Sequence, residues 1–181
     1  MEFVPTRIAG AFEVRHDVRS DERGRFKRQY CKREFAAAGL NTRWVQVNHS
    51  VTSERGAIRG LHYQRPPEGE AKLVSCPVGL AFDVAVDLRR GSESFLRWAA
   101  VEIDEGVSFY IPQGCAHGFQ ALSGEVHLIY LHSAFYAPEA EGGVRFDDPA
   151  LGIAWPLPAG ILSERDRSFA LLGDKFEGLA S

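Results

Sequence analysis

The stretch Leu80–Leu88, LAFDVAVDL, alternates strictly: Phe82, Val84, Val86 and Leu88 take one parity, and Asp83, Ala85 and Asp87 the other. Residues two apart on an extended chain lie on the same face, so this period belongs to a strand with one buried face. RWAAVEI (97–103), VSFYIP (107–112) and EVHLIYLHS (125–133) are further strand-like runs, and glycine and proline punctuate the whole length between them. Many short strands at such spacing predict an all-β sandwich or barrel. Helical signals are few and short. CKREFAAAGL (31–40) makes about two turns stopped by Gly39, and SERDRSFALL (163–172) opens on Ser163 as an N-cap with Asp166 three residues on. The expected architecture is a double-sheet β-barrel with a few short helices, mainly near the termini.

With 181 residues and no repeat, linker or composition break, the chain is expected to form a single domain, 1–181. A formal charge of −3 gives no general attraction to phosphate backbones or anionic membranes, which argues against nucleic acid as a partner. The longest uncharged stretch, 107–124, is broken by Pro112, Gly114, His117 and Gly118 and cannot satisfy its backbone as a membrane helix. The start, MEFVPTRIAG, does not read as a secretory signal, and three unpatterned cysteines, Cys31, Cys76 and Cys115, suit a reducing compartment. A cytoplasmic location is expected.

Two segments carry chemistry. GAIRGLHYQ (56–64) places Arg59 and His62 in an otherwise apolar strand, where an arginine between Ile58 and Gly60 calls for an anionic partner. IPQGCAHGF (111–119) has the P-x-G-x-x-H order that resembles the second motif of the cupins, whose two histidine-bearing strands face each other across a jelly-roll interior. Many cupins hold a metal there. A set of His62, Gln64, Glu70 and His117 can be drawn, but an amide replaces an imidazole among its ligands, so no metal is expected.

SDERGRF, WVQVNHS, RGLHYQ, KLV, FDVAVDLR, IPQGCAHGF, YAPEAE, FDDPALGIAWPL and LSERD occur in the order seen in the dTDP-4-dehydrorhamnose 3,5-epimerase family, and the resemblance spans about Ser20 to Arg167. It implies a metal-free, cofactor-free isomerase acting on a nucleotide-diphosphate 4-keto-6-deoxy sugar. By that resemblance His62 matches the base, Asp166 the aspartate that orients it, Lys72 the cation that stabilises an enolate, and Tyr130 the acid. Arg23, Arg59 and His117 match positions that contact the diphosphate or sugar. Gln46 and Asn48 match polar contacts to nucleotide or substrate, Tyr136 the aromatic that stacks on the base, and Glu141 and Arg165 further binding positions, Arg165 standing where lysine is usual. The family also implies a homodimer in which the N-terminal segment, about 1–30, is exchanged with the partner. MEFVPTRIAGAFEVRHDV has the alternation such a strand needs.

Each reading has a plainer competitor. Asp166 could serve only a capping box with Ser163, Tyr130 could fill a half-buried strand position with Tyr136 as a second candidate acid, and Lys72 could be a solvated edge lysine. Three departures from the family pattern bear on recognition: Arg28 stands where glutamate is usual, Leu131 where lysine is common, and Gly142 where arginine is common. They leave a CDP- or GDP-linked substrate open. A single-centre 3- or 5-epimerase, a ketoisomerase, a metal-dependent cupin enzyme and a non-catalytic binder are the alternatives.

Overall fold

A computed structural model describes residues 1–173 and 176–180. Thirteen strands and two helices are defined among them: β1 (Glu2–Pro5), β2 (Phe12–Arg15), β3 (Val18–Asp21), β4 (Gly24–Lys27), α1 (Lys32–Ala37), β5 (Gln46–Thr52), β6 (Ile58–Gln64), β7 (Lys72–Val78), β8 (Ala81–Asp87), β9 (Trp98–Ile103), β10 (Val107–Ile111), β11 (Cys115–Ala121), β12 (Val126–His132), β13 (Glu141–Gly143) and α2 (Glu164–Ser168). They form a six-stranded sheet ordered β1-β2-β10-β7-β12-β5 and a five-stranded sheet ordered β13-β6-β11-β8-β9, all antiparallel, with β3 and β4 pairing only each other. Both sequence-predicted helices are present. No described helix is long and apolar enough to cross a membrane.

Parity explains the layers. Along β8 the small residues Ala81 and Ala85 turn inward to a cluster between the sheets with Phe109, Phe119, Ile103 and Leu128. The large residues Val84, Val86 and Leu88 face the other way, where Leu61, Val144 and Leu151 cover them. The expectation of one buried face is therefore corrected: Asp83 and Asp87 are 0 % exposed. Buried carboxylates are tolerated only with hydrogen-bonding partners. Asp87 accepts from Arg89 Nε and Ser94 Oγ at 2.8 and 2.6 Å, and Asp83 meets His117.

Helix α1 has no side-chain cap at Cys31 and is too short to persist alone. Its fully buried Phe35 holds it against the outer face of the six-stranded sheet, in edge contact with Phe3, Tyr30 and Tyr110. Burying such a ring contributes roughly 2–3 kcal/mol.

Strands β6 and β11 approach unusually closely where Gly60 faces Gly118. A Cβ on Gly118 would lie 2.6 Å from the Arg59 carbonyl oxygen, and one on Gly60 would lie 2.5 Å from the Gly118 Cα. Gly60 also has φ +117°, a conformation open to glycine alone. The pairing shifts register between His117 and Phe119, and it sets His117 directly opposite His62. Gly118→Ala is expected to force these strands apart and cost about 3 kcal/mol, as overpacking against backbone does; a denaturant midpoint equal to wild type would contradict this close approach.

Candidate active site

The interior opens into a cavity of about 610 Å³ whose walls come from both sheets. The five-stranded sheet contributes Arg59, His62, His117 and Glu141, and the six-stranded sheet contributes Asn48, Ser50, Lys72, Tyr130 and His132, with Glu70 just before β7 and Tyr136 at the rim. His62 on β6 and Tyr130 on β12 therefore stand on opposite walls.

His62 Nε2 lies 2.7 Å from Asp166 Oδ1. The ionised carboxylate only accepts, so Nε2 carries the proton and donates it, leaving Nδ1 as the basic nitrogen. Asp166 is 4 % exposed, and its other oxygen accepts from the Gly60 amide at 3.2 Å. Burial works to raise its carboxyl, but the hydrogen bond and charge of His62 outweigh that and hold it below the ordinary aspartate range. The Asp166 amide donates to Ser163 Oγ at 3.0 Å. Ser163 is thus the cap, and the Asp166 side chain is free of the capping role. A 104-residue gap in sequence is closed because α2 packs on β6.

Tyr130 presents its hydroxyl to Ser50 Oγ at 3.0 Å, and burial pushes its pKa up, so the phenol keeps its proton across the physiological range. Tyr136 differs. It is 55 % exposed, and its hydroxyl donates to Glu141 Oε2 at 2.8 Å. Lys72 is 7 % exposed and is no solvated edge lysine; its ammonium sits 3.2 Å from Glu70 Oε1. His117 Nε2 lies 2.6 Å from Asp83 Oδ1 in full enclosure, which pushes the imidazole down and the carboxyl up.

Arg59 on β6 lines the same cavity. Its side chain is exposed to the cavity, and it donates to Thr52 Oγ1 and the Val51 carbonyl, both at 3.0 Å. Among the described residues no carboxylate pairs with it, so its charge faces the cavity uncompensated. Arg165 is paired, at 2.6 Å from Glu141 Oε1, and lies over the Phe169 ring. Gln46 bridges Asn48 Oδ1 and the Tyr136 amide, both at 3.1 Å.

A scan against family models matches residues 5–174 to the model described as dTDP-4-dehydrorhamnose 3,5-epimerase. The chain belongs to the dTDP-4-dehydrorhamnose 3,5-epimerase family. It is 44 % identical over 173 residues to a dTDP-4-dehydrorhamnose 3,5-epimerase of Methanothermobacter thermautotrophicus, covering 92 % of each chain. It is 41 % identical to a dTDP-4-dehydrorhamnose 3-epimerase of Streptomyces niveus, covering 96 % of this chain and 85 % of that one. Among solved structures it is similar to the dTDP-6-deoxy-D-glucose-3,5-epimerase of Legionella pneumophila in complex with dTDP-4-keto-L-rhamnose, with TM-score 0.88, 38 % identity, and 94 % of this chain and 92 % of that one covered. The fold is accordingly the cupin-type jelly roll of these epimerases.

Of the twelve family-matched positions named from sequence, the structure brings together His62, Asp166, Lys72, Tyr130, Asn48, Arg59, His117, Tyr136 and Glu141, with Gln46 and Arg165 one contact outward. Arg23 is elsewhere: on the exposed β3–β4 hairpin, bidentate with Asp21, away from this cavity. The hypothetical metal set is not assembled. The Gln64 amide donates to the carbonyls of Glu68 and Phe135 and accepts from the Ala137 amide, and Glu70 turns to Lys72 and His132. Among the described residues, no three His, Cys, Asp or Glu side chains are placed to hold a metal ion. Asp83, Ser50 and His132 were missed as site residues. Asp83 had a signal, being one of two aspartates in the polar parity of an otherwise apolar strand. His132 lies opposite Lys72 in the β12–β7 register, a pairing visible only once the strands are ordered.

Among the three departures, Arg28 pairs with Glu34, and Leu131 packs beside the α1 cluster. Gly142 lies against Tyr63, where a Cβ would meet the ring at 2.5 Å, so a larger residue there requires Tyr63 to move.

Proposed function

We propose that this protein epimerises a dTDP-linked 4-keto-6-deoxyhexose at carbons 3 and 5, with His62 as base, Asp166 as its orienter, Lys72 as the enolate-stabilising cation and Tyr130 as acid. The observation that carries this reading is the placement of His62 and Tyr130 on opposite walls of one cavity. Inverting a carbon beside a ketone requires removing its proton from one face and returning one to the other. With Nε2–H donated to Asp166, Nδ1 of His62 keeps a free lone pair and can take a proton from carbon. The half-buried phenol of Tyr130, which keeps its proton, is the complementary donor. As the proton leaves, negative charge grows on the ketone oxygen, and a cation such as Lys72 stabilises this charge more than it does the neutral ketone. Arg59, the unpaired guanidinium, suits the substrate diphosphate. His117, Gln46, Asn48, Tyr136, Glu141 and Arg165 complete the binding wall. The sugar nucleotide in the similar Legionella structure supports a dTDP-linked ligand.

The test is incubation with dTDP-4-keto-6-deoxyglucose in heavy water, read by NMR. Deuterium and inversion at both carbons are expected. Inversion at carbon 3 alone would place the protein with the Streptomyces niveus type. No exchange with the dTDP, CDP or GDP sugar would overturn the reading.

Asp166→Asn separates the orienting role from the capping one. An asparagine keeps the shape but can turn its amide N–H toward His62, favouring the tautomer whose Nδ1 is protonated. The cap through the Asp166 backbone amide is unaffected. Turnover is expected to fall by about 10³ or more, as when a histidine is held in the wrong tautomer, with the helix content unchanged by circular dichroism. Turnover within tenfold of wild type would reduce Asp166 to a structural residue.

Arg23 is best accounted for by a cytoplasmic homodimer of single jelly-roll domains. Within the N-terminal segment, about 1–30, β3 and β4 pair only with each other, and Phe26 on this hairpin is 73 % exposed. In this reading the hairpin carries Arg23 to the partner's cavity. Light scattering that shows a fully active monomer would remove it.

A further inference from the structure

We propose that Glu70 and His132 form a second carboxylate–imidazole pair that positions Lys72 on one side and Asn48 on the other, linking the enolate-stabilising cation to the polar rim of the cavity. The inference rests on the epimerase reading and deepens it, since the family resemblance assigns no role to Glu70 or His132.

The argument begins with strand geometry. Glu70 and Lys72 are two residues apart and share a face, while Ala71 between them packs on the outer cluster beside Phe35. Lys72 and His132 are direct cross-strand neighbours between β7 and β12. Three ionisable side chains therefore converge on one patch of cavity wall. Lys72 is 7 % exposed and His132 8 %.

A lysine that deep costs several kcal/mol unless an anion accompanies it. Glu70 Oε1 supplies that anion at 3.2 Å, and Glu70 Oε2 lies 2.6 Å from His132 Nδ1. Burial works to raise the Glu70 carboxyl, but the hydrogen bond of His132 and the charge of Lys72 prevail and hold it below the ordinary range. An ionised carboxylate only accepts, so His132 Nδ1 is the donor. Its Nε2 lies 3.3 Å from Asn48 Nδ2, an amide N–H donor, so Nε2 accepts and the imidazole is neutral. Asn48 Oδ1 in turn accepts from Gln46 Nε2, and Gln46 Oε1 from the Tyr136 amide.

Every bond in this series has its direction set by its neighbours. The arrangement runs from Tyr136 at the rim, through Gln46, Asn48 and His132, to Glu70 and Lys72. His132 also stacks on the Tyr130 ring, with centroids 6.0 Å apart and planes 27° from parallel. Because the imidazole takes one carboxylate oxygen, Glu70 anchors the ammonium without wholly cancelling its field. Glu70 and His132 are positioning residues, acting through Lys72 and Asn48.

The two arms can be cut separately. In Glu70→Gln the anchoring charge is lost, and kcat for dTDP-4-keto-6-deoxyglucose is expected to drop about tenfold or more with KM within about threefold, the pattern of an interaction felt chiefly in the transition state. In His132→Asn the side-chain amide nitrogen takes the place of Nδ1, keeping the donor to Glu70 while losing the acceptor for Asn48. KM is then expected to rise about tenfold with kcat within about threefold. The double variant Glu70→Gln/Lys72→Met should be no slower than Lys72→Met alone, because Glu70 works through the lysine. Wild-type kcat in Glu70→Gln, multiplicative losses in the double variant, or a loss of kcat matched by a fall in folded fraction overturns the proposal. Wild-type protein is the control: failure to turn over any sugar nucleotide removes the epimerase reading itself, whereas normal turnover with an unaffected Glu70→Gln removes only the positioning role.

Discussion

His62→Asn is expected to abolish both product formation and deuterium wash-in at carbons 3 and 5 while leaving dTDP binding within a few-fold of wild type. The proton on a carbon beside a ketone is weakly acidic, so its removal depends on a base at contact distance. Among the cavity residues, His62 has the geometry for that task. Its Nε2 is committed to Asp166, and Nδ1 remains basic. An asparagine amide has no comparable basicity, and loss of a general base costs about 10²–10⁴ in rate. Binding should survive because the expected nucleotide contacts, Arg59, Tyr136 and the Glu141–Arg165 pair, are built independently of the imidazole. The structural cost is moderate: Asp166 keeps the Gly60 amide, and losing one hydrogen bond to a buried carboxylate costs about 1.5–3 kcal/mol. NMR exchange rates together with dTDP calorimetry decide the matter. Exchange at the wild-type rate in this variant would place the base elsewhere in the cavity.

What sequence could reveal of this site divides along a physical line. His62, Lys72, Tyr130 and Arg59 lie in short motifs whose local order can be read directly, and the strand alternation that places them is local too. The β8 alternation was legible as a strand but misleading about burial. Periodicity reports that two faces differ, and only the packing of Leu61, Val144 and Leu151 over one face, with the barrel interior against the other, shows that both are covered. The polar parity then appears as an interior wall bearing Asp83. Contacts between residues far apart in the chain left no local mark. His117 with Asp83, and Glu70 with His132, depend on which strands become neighbours, a consequence of the whole sheet order. Glu70 enters the sequence reading only as a member of a metal set too poor to expect, because sequence gives no direction to a side chain. Arg23 is the converse case: its motif is legible, and the hairpin that bears it lies away from the cavity of the same chain.

The second large effect is expected from Tyr130→Phe, and its form differs from that of His62→Asn. Product should fall by about 10²–10⁴, the range for loss of a positioned general acid, but deuterium should still enter the unepimerised substrate. With His62 and Lys72 intact, the carbon-bound proton can still pass to Nδ1 and the enolate still be held. The imidazolium then exchanges its proton with solvent and returns a deuteron to the face it came from. Inversion needs a donor on the other wall, and there the Tyr130 hydroxyl, resting against Ser50 Oγ, is the group that burial keeps protonated. Phenylalanine preserves the ring between His117 and His132, so the cavity shape is retained. Ser50 loses one hydrogen-bond partner, worth about 1 kcal/mol. Exchange without inversion would thus separate the two faces of the reaction in one experiment. If Tyr130→Phe instead made product at the wild-type rate, the acid would have to be another group, and Tyr136, whose hydroxyl is engaged by Glu141 at the rim, would be the next to test. Loss of exchange together with inversion would mean that the phenol also supports proton removal, and the division of labour between the two walls would have to be given up.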